Sequence, residues 1–499
     1  MNLAAVLLGA AVSPDAPALI TPSAAWSRAD LFARAATIGG HVASRTGPDA
    51  RVAILADNDE HFVAAYLGIL WAGRVAVPLN HLAPHAEQRA ELGAVAPELV
   101  LAGPTIGSSP AAAGAGVPVV SIEEVSLAPG AARLEAPGER ADGDVAVLLF
   151  TSGTAGMPKA AMLSHGNLAA NLHQVQSTPG LAIRPSDVAL GVLPYFHVFG
   201  LNVVLGLSLV AGAPVVCLPR FDPAASLAAI TRHQVTVIAA VPAIYHAWLD
   251  VADAPSDAFA RVRLAVSGAA ALGTDTIAAV RERFGLHVHE GYGLTEAAPI
   301  VTTTAVQRAV RPGSIGPPLR GVEVRLVDSD GGEVLAGDPG EILVRGDNVF
   351  MGYWNDAEQT ARVLRDGWLR TGDIAVADDE GWLTLVDRAK DLIIVSGFNV
   401  YPGEVEAALV EHDDVVEAAV VGEPDPRAGE RVVAFVVPRA GTSPTPTILT
   451  AHLRRRVARY KIPQRIELVD ALPHTFAGKV LRRALREGTP DSDAIQKPA

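Results

Sequence analysis

Residues 145–167 read VAVLLFTSGTAGMPKAAMLSHGN. The middle of the stretch, TSGTAGMPK (Thr151–Lys159), sets three small hydroxyl residues, two glycines, a proline and a lysine between apolar runs. It reads as a loop between two β-strands. Gly153 and Gly156 permit backbone conformations closed to other residues, Thr151, Ser152 and Thr154 offer hydroxyl donors, and Lys159 adds a positive charge. Such a loop is able to wrap phosphate oxygens. The P-loop pattern GxxxxGK[ST] is not met, because Lys159 follows Pro158 and precedes Ala160, so a Walker-type NTPase is disfavoured. By itself the stretch stays open between a phosphate cradle and an ordinary turn.

Outward from it, apolar runs such as RVAILA, APVVCL and VTVIAAVP alternate with Ala-rich helical stretches such as AAYLGILWAG up to about residue 386. That alternation predicts layered α/β architecture with largely parallel sheets. Between 312 and 386 the texture changes to short strands, GVEVRLVD, GEILVRG and GWLTLVD, separated by Gly and Asp turns, which predicts a small β-barrel-like part. After VDRAK a compact pattern begins: strand DLIIVS, turn GFN, a helix opened near Pro402, and strands VVEAAVVG and ERVVAFVVP. A helix with Leu449, Leu453, Val457 and Tyr460 on one face, strand RIELVD and a short final helix complete it. The expected division is 1–388 for a large N-terminal domain and 389–499 for a small α+β domain, with a loose tail after about 487.

The 499 residues carry a net charge of -14, which argues against nucleic acid as the main partner. The single cysteine, Cys217, excludes an internal disulfide framework and fits a reducing compartment; within APVVCLP it reads as a small core residue. MNLAAVLLGAAVS lacks a basic flank before Arg28 and reads as a helix packed on the body, not a signal peptide. No apolar segment approaches the ~18 residues of a membrane span, so a cytoplasmic location with at most transient membrane contact is expected.

Four further segments carry chemistry. GYGLTE (291–296) follows a strand-like run: Tyr292 could stack on a base, Thr295 donate to a phosphate, and Glu296 hold Mg²⁺ as a hard oxygen ligand. TGD (371–373) reads as a turn followed by a carboxylate, Asp373, suited to accepting hydrogen bonds from ribose hydroxyls, and Arg388 adds a fixed cation. In LPHTFAGKVLRR, Lys479 follows a glycine on a loop that opens a helix, placed to neutralise charge at a phosphoryl centre.

Together TSGTAGMPK, GYGLTE, TGD, DRAKDLIIVSGFNVYP and the terminal Gly-Lys resemble the adenylate-forming superfamily of acyl-CoA synthetases, luciferases and peptide-synthetase adenylation domains. PYFHVFG, RPGSIGPPLRGVEVRLVD and VSGFNVYPGEVE look most like bacterial fatty acyl-CoA synthetases within it. The resemblance implies two α/β layers plus a small barrel, followed by a mobile C-terminal domain. It also implies roles. Thr151, Ser152, Gly153, Thr154 and Lys159 would cradle the ATP phosphates, and Gly268, Ala269, Ala270 and Tyr292 would enclose adenine. Thr295 would meet the α-phosphate, Glu296 would bind Mg²⁺, Asp373 and Arg388 would hold ribose, and Lys390 would be the hinge. Lys479 would stabilise the adenylation transition state, and the loop with Gly397 would face the site for the thioester step. His197 would sit beside the acyl carboxylate and the thiol path. Two positions depart from the family's habit: Ala155 replaces a hydroxyl residue and Ala160 a glycine.

Other features have plainer readings. His287 and His289 share a strand face without ligand partners at metal spacing. Arg454, Arg455, Arg456, Arg459 and Lys461 read as a solvated helix face, with attraction of the phosphates of coenzyme A as the alternative, and Glu404 and Glu406 as complements to a helix dipole. Tyr245 and Trp248 are open between core and acyl-pocket lining. The expected function is ATP-dependent synthesis of acyl-CoA from a medium or long fatty acid, with coenzyme A as acceptor. The alternatives are transfer to a carrier protein, aryl or dicarboxylic acid substrates, and a nucleotide-binding protein without turnover.

Overall fold

The computed structural model describes all residues except 23, 107–108, 128–131, 152–158, 307–310, 329, 389–390, 392, 396–397, 426–428, 475–479 and 487–499, and the side chains of 110, 127, 387–388, 398–399, 429 and 483. The chain forms two compact units, Met1–Val324 with Val344–Leu369, and Arg325–Leu343 with Arg370–Ala499.

The first unit contains two large sheets. One has six strands in the order Val119–Ser121, Leu99–Ala102, Arg51–Leu55, Val75–Pro78, Val145–Thr151 and Lys159–Ser164. Its pairings are parallel except the last, an antiparallel pair in which Thr151 faces Lys159. The opening stretch is therefore a hairpin at a sheet edge. The other sheet has eight strands: Ile300–Thr303, Val288–Gly293, Leu264–Ser267, Val237–Ala240, Ala189–Gly191, Val215–Cys217, Pro17–Ile20 and Ala25–Ser27. Only its two outermost pairs are antiparallel. Strands such as Leu99–Ala102 and Val237–Ala240 are buried along their whole length, which is why they read as unbroken apolar runs. Helix Glu60–Trp71 is apolar nearly all round and buried to match, with Asp59 accepting from the amides of His61 and Phe62 as its cap. Leu3–Leu8 is a short helix with Leu3, Ala4 and Leu7 buried.

In the second unit, residues from strands Glu323–Val327, Pro339–Arg345, Trp368–Ala377 and Leu383–Arg388 pair in that order. A separate sheet runs Phe398–Val400, Ile393–Val395, Gly429–Pro438 and Val415–Asp425, with Arg465–Leu468 parallel to Gly429–Pro438. Alternation along Val415–Asp425 sends Ala418 and Val420 into one cluster with Leu409, Leu449 and Leu453, and Ala419 and Val421 into another with Phe435 and Leu472. Helices Pro402–Val410 and Pro446–Leu453 therefore cover one face of this sheet and the short helix Arg482–Arg486 reaches the other through Leu485, giving the α+β layout expected.

Three local expectations change. GFN is not a simple turn, since Phe398–Val400 is a strand paired with Ile393–Val395. The predicted long basic helix ends at Leu453, and Arg459–Lys461 is a separate 3₁₀ turn. Val457 and Tyr460 still pack on the apolar cluster, but Arg456 bonds Glu411 at 2.6 Å and Lys461 bonds Glu404 at 2.6 Å. These basic residues are partly consumed by ion pairs, so the helical face expected from periodicity does not exist.

Candidate active site

In a parallel sheet, loops leaving the carboxyl ends of neighbouring strands converge, and ligands bind there. Three of the predicted segments leave such ends: Gly268–Ala270 after Leu264–Ser267, GYGLTE at the end of Val288–Gly293, and PYFHVFG after Ala189–Gly191. They meet at Gly268. A Cβ there would stand 3.1 Å from the Phe199 ring and 3.6 Å from the Gly291 carbonyl oxygen. Ala269 holds φ 69°, a left-handed conformation costing about 1–3 kcal/mol for a residue with a Cβ. Ser267, 1% exposed, has a hydroxyl with no hydrogen-bond partner among the described residues.

Strand Val288–Gly293 alternates buried and half-buried residues, placing Glu290 and Tyr292 on the inner side and His289 on the other. Tyr292 is 7% exposed. The carboxylate of Glu290 accepts from the Gly313 amide at 3.0 Å and the Leu272 amide at 3.3 Å. Burial raises its pKa, against the lowering effect of those two amides. Glu290 thus ties the loop that begins at Gly268 to the PGSIG segment.

Thr295–Ala297 forms a 3₁₀ turn. Phe350 donates its amide to the Glu296 carbonyl at 2.8 Å, and the Tyr353 hydroxyl donates to Glu296 Oε1 at 2.7 Å. Lys159 Nζ lies 5.6 Å from the centroid of the same Tyr353 ring. Mg²⁺ takes one or two carboxylates plus substrate phosphates. A single half-buried carboxylate fits that demand. Sequence reasoning missed Tyr353, though GYW at 352–354 was open to inspection.

Beneath this turn runs helix His165–Gln176, started by a capping box between Ser164 and Asn167. Asn167, Asn171 and Gln174 lie on one face of it. Asn171 donates to the Ile300 carbonyl at 2.8 Å and accepts from the Ile300 amide at 3.2 Å. Gln174 donates to Asn348 Oδ1 at 3.2 Å, and Asn348 donates to the Ala297 carbonyl at 2.8 Å. The network brackets Glu296 on its C-terminal side.

His197 is half-buried against Phe196, with ring centroids 4.6 Å apart. Desolvation pushes its pKa down to about 4, so the imidazole is neutral near pH 7. A π-helix, Phe199–Gly206, follows directly. Tyr245 and Trp248 resolve as core: Tyr245 donates to the Val266 carbonyl at 3.1 Å and Trp248 to Ser226 Oγ at 2.8 Å. Cys217 is fully buried beside the Tyr195 hydroxyl at 3.2 Å, and burial pushes its thiol up to about 12.

In the second unit, Asp373 lies within strand Trp368–Ala377, not after a turn, and is the cross-strand partner of Arg388. Gly372, at φ 72°, donates its amide to Glu341 Oε1 at 3.2 Å, and Arg370 pairs with the same carboxylate. Ser152, Gly153, Thr154, Lys390, Gly397 and Lys479 lie outside the described residues, as does Ala155, and the Arg388 side chain is likewise not described. Ala160 is 4% exposed within an apolar cluster that includes Leu148 and Trp354, so its methyl has a packing role.

Large parallel sheets with glycine-rich carboxyl-end loops, joined in one chain to a small α+β unit, define a nucleotide-binding class of α/β protein. The chain belongs to the AMP-binding enzyme family, which it matches over residues 8–354, with the AMP-binding enzyme C-terminal domain matched over 404–479. It is 39% identical over 354 residues to a long-chain-fatty-acid–CoA ligase of Bacillus subtilis, an alignment covering 71% of this chain and 63% of that one. A feruloyl-CoA synthase of Amycolatopsis is 36% identical over 96% of both chains. Among solved structures, ATP-bound MatB from Rhodopseudomonas palustris superposes with a TM-score of 0.92 at 33% identity, covering 98% of this chain and 99% of that one. Among the described residues no helix is long and apolar enough to cross a membrane.

Proposed function

We propose that the chain is an AMP-forming acid–thiol ligase that uses ATP, Mg²⁺ and coenzyme A to make an acyl-CoA, with a medium or long fatty acid as the acid. An oxygen of the acid's carboxylate bonds to the α-phosphorus of ATP, the bond from that phosphorus to the bridging oxygen breaks, and pyrophosphate leaves. The thiol of coenzyme A then gives up its proton, its sulfur bonds to the acyl carbon, and AMP leaves.

Mg²⁺ at Glu296 would supply positive charge beside the phosphates. Thr151, Ser152, Gly153, Thr154 and Lys159 would hold those phosphates, Thr295 the α-phosphate, and Gly268–Ala270 with Tyr292 the adenine. Asp373 and Arg388 would take the ribose. Lys479 would offset charge in the first step, and rotation of 389–499 about Lys390 would withdraw it and present Gly397 for the second. A neutral His197 would add no fixed cation beside the acid's carboxylate. ATP and coenzyme A as substrates, with one cysteine, favour a cytoplasmic setting.

The observation that carries this reading is the convergence of SGAA, GYGLTE and PYFHVFG at Gly268. A second reading, an aryl acid as substrate, draws on the feruloyl-CoA synthase, whose alignment spans 96% of this chain against 71% for the Bacillus ligase. Pyrophosphate release would be measured with fatty acids of graded length, ferulate, benzoate and malonate, each with coenzyme A or a holo carrier protein. Fatty acyl-CoA as the main product is expected. Preference for ferulate or benzoate would move the chain to the aryl reading, an acylated carrier would change the acceptor, and no pyrophosphate with any acid would overturn the ligase reading.

A further inference from the structure

Residues 350–354, FMGYW, run alongside strand Lys159–Ser164. Met351 donates to the Met162 carbonyl at 3.0 Å, Met162 to that of Gly352 at 2.9 Å, and Trp354 to that of Ala160 at 2.8 Å. One end of the segment reaches the Glu296 carbonyl through the Phe350 amide, at 2.8 Å. Tyr353 is fixed within it: its amide donates to Thr360 Oγ1 at 2.9 Å, and its ring packs edge-on against Phe350 at 5.0 Å. From that seat the hydroxyl takes one oxygen of Glu296 while the ring face receives Lys159. The described residues give the second oxygen of Glu296 no hydrogen bond, and Lys159 and Glu296 form no ion pair with each other.

We propose that Tyr353 is a positioning residue with two tasks. Its hydroxyl holds Glu296 by one oxygen so that the other is presented to the divalent cation, and its ring keeps Lys159 from pairing with that carboxylate. A lysine and a glutamate that both reach the same phenol would, without it, be free to neutralise each other, and substrate would have to break the pair before using either. A phenol resolves the conflict because it donates to the anion at its tip and attracts the cation at its face. The inference rests on the nucleotide-activating reading above.

The test uses Mn²⁺ as probe, titrated by electron paramagnetic resonance in the presence of α,β-methylene-ATP and without acid. Wild type, Glu296→Gln, Tyr353→Phe and Tyr353→Leu are compared, with metal-free nucleotide affinity and urea midpoints measured alongside. Tyr353→Phe is expected to weaken Mn²⁺ binding about tenfold with metal-free nucleotide affinity unchanged, because the ring and its hold on Lys159 survive. Tyr353→Leu should weaken both. If wild type fails to bind Mn²⁺ with nucleotide, the functional reading falls and this inference with it. If wild type binds and Glu296→Gln weakens binding while Tyr353→Phe matches wild type, the assignment to Tyr353 alone is overturned. Loss of metal-free nucleotide binding and urea midpoint together in Tyr353→Phe would also overturn it, by showing a structural role. A Tyr353→Leu variant no worse than Tyr353→Phe toward nucleotide overturns the part given to the ring.

Discussion

Replacing Asn171 with alanine tests whether the amide network below Glu296 contributes to the stability of the first unit. The side chain is 1% exposed and makes three hydrogen bonds, two with the Ile300 backbone and one to Gln174 Oε1 at 3.1 Å. Truncation orphans the Ile300 amide and carbonyl and the Gln174 oxygen. A fully sealed orphan costs about 1–3 kcal/mol. Ile300 is half-buried, so its two groups fall at the low end, and the total expected loss is about 3 kcal/mol. Urea unfolding followed by tryptophan emission measures it, since Trp26, Trp71, Trp248, Trp354 and Trp368 all belong to the first unit. The midpoint should fall with the slope unchanged. Gln174→Ala shares one of the bonds, so the double variant should lose about 1 kcal/mol less than the sum of the singles. A loss below about 1 kcal/mol in Asn171→Ala, or strict additivity with Gln174→Ala, would refute the claim that these amides act as a connected buried network.

Two further outcomes follow from groups the sequence did not mark. Glu290→Gln removes a buried charge but turns an amide donor toward one of the two backbone donors it now satisfies. Stability should change little because these effects oppose, while KM for ATP rises about three- to tenfold with kcat nearly constant, as the loop beginning at Gly268 loses a tether; unchanged KM would show that Glu290 does not act on the nucleotide site. The second concerns His165, fully buried with Nδ1 accepting from the Leu3 amide at 3.0 Å. Desolvation, then Arg140 and the N-terminal amine, push its pKa down to about 4. The unfolded chain takes up a proton first, so the stability linked to His165 is full above about pH 6.5 and drains as pH falls toward 4, amounting to about 2 kcal/mol between pH 7.5 and 5. Urea midpoints at those two pH values check it, and His165→Asn, which keeps an acceptor for Leu3, should flatten the profile by that amount.

The layered α/β body was legible because doubly buried parallel strands need apolar residues on both faces, and Arg51–Leu55 and Val237–Ala240 show that demand without tertiary information. The loops at the carboxyl ends were legible for a different reason: SGAA and GYGLTE use glycines where a side chain would crowd a neighbour, at Gly268 against the Phe199 ring at 3.1 Å and at Gly293, where a Cβ would stand 2.2 Å from the Pro299 oxygen. Local pattern failed where partners are distant. Tyr353 and Glu296 are 57 residues apart, and Gln174 and Asn348 are 174 apart, so nothing near either member signals the pair. It failed too at TGD, where the positive φ of Gly372 sits inside a strand and looked like a turn. Beyond Leu453 the apolar spacing persisted without a helix, because Val457 and Tyr460 reach the core from turns.

The distant partners of Glu296 share a chemistry that bears on its proposed task. The turn is held by the Phe350 amide on the Glu296 carbonyl, the Asn348 amide on the Ala297 carbonyl, Asn171 on Ile300, and a phenol on the carboxylate itself. None of these anchors carries a full charge. A cation held by one carboxylate depends on that carboxylate's direction more than a site with several acidic ligands does, so orientation has to come from the surrounding shell. An arginine or lysine in that shell would fix the direction equally well but would compete for the same negative charge. Neutral donors fix geometry and leave the charge for the metal. Tyr353→Arg would therefore be expected to preserve the turn while abolishing Mn²⁺ binding, separating orientation from charge within one position.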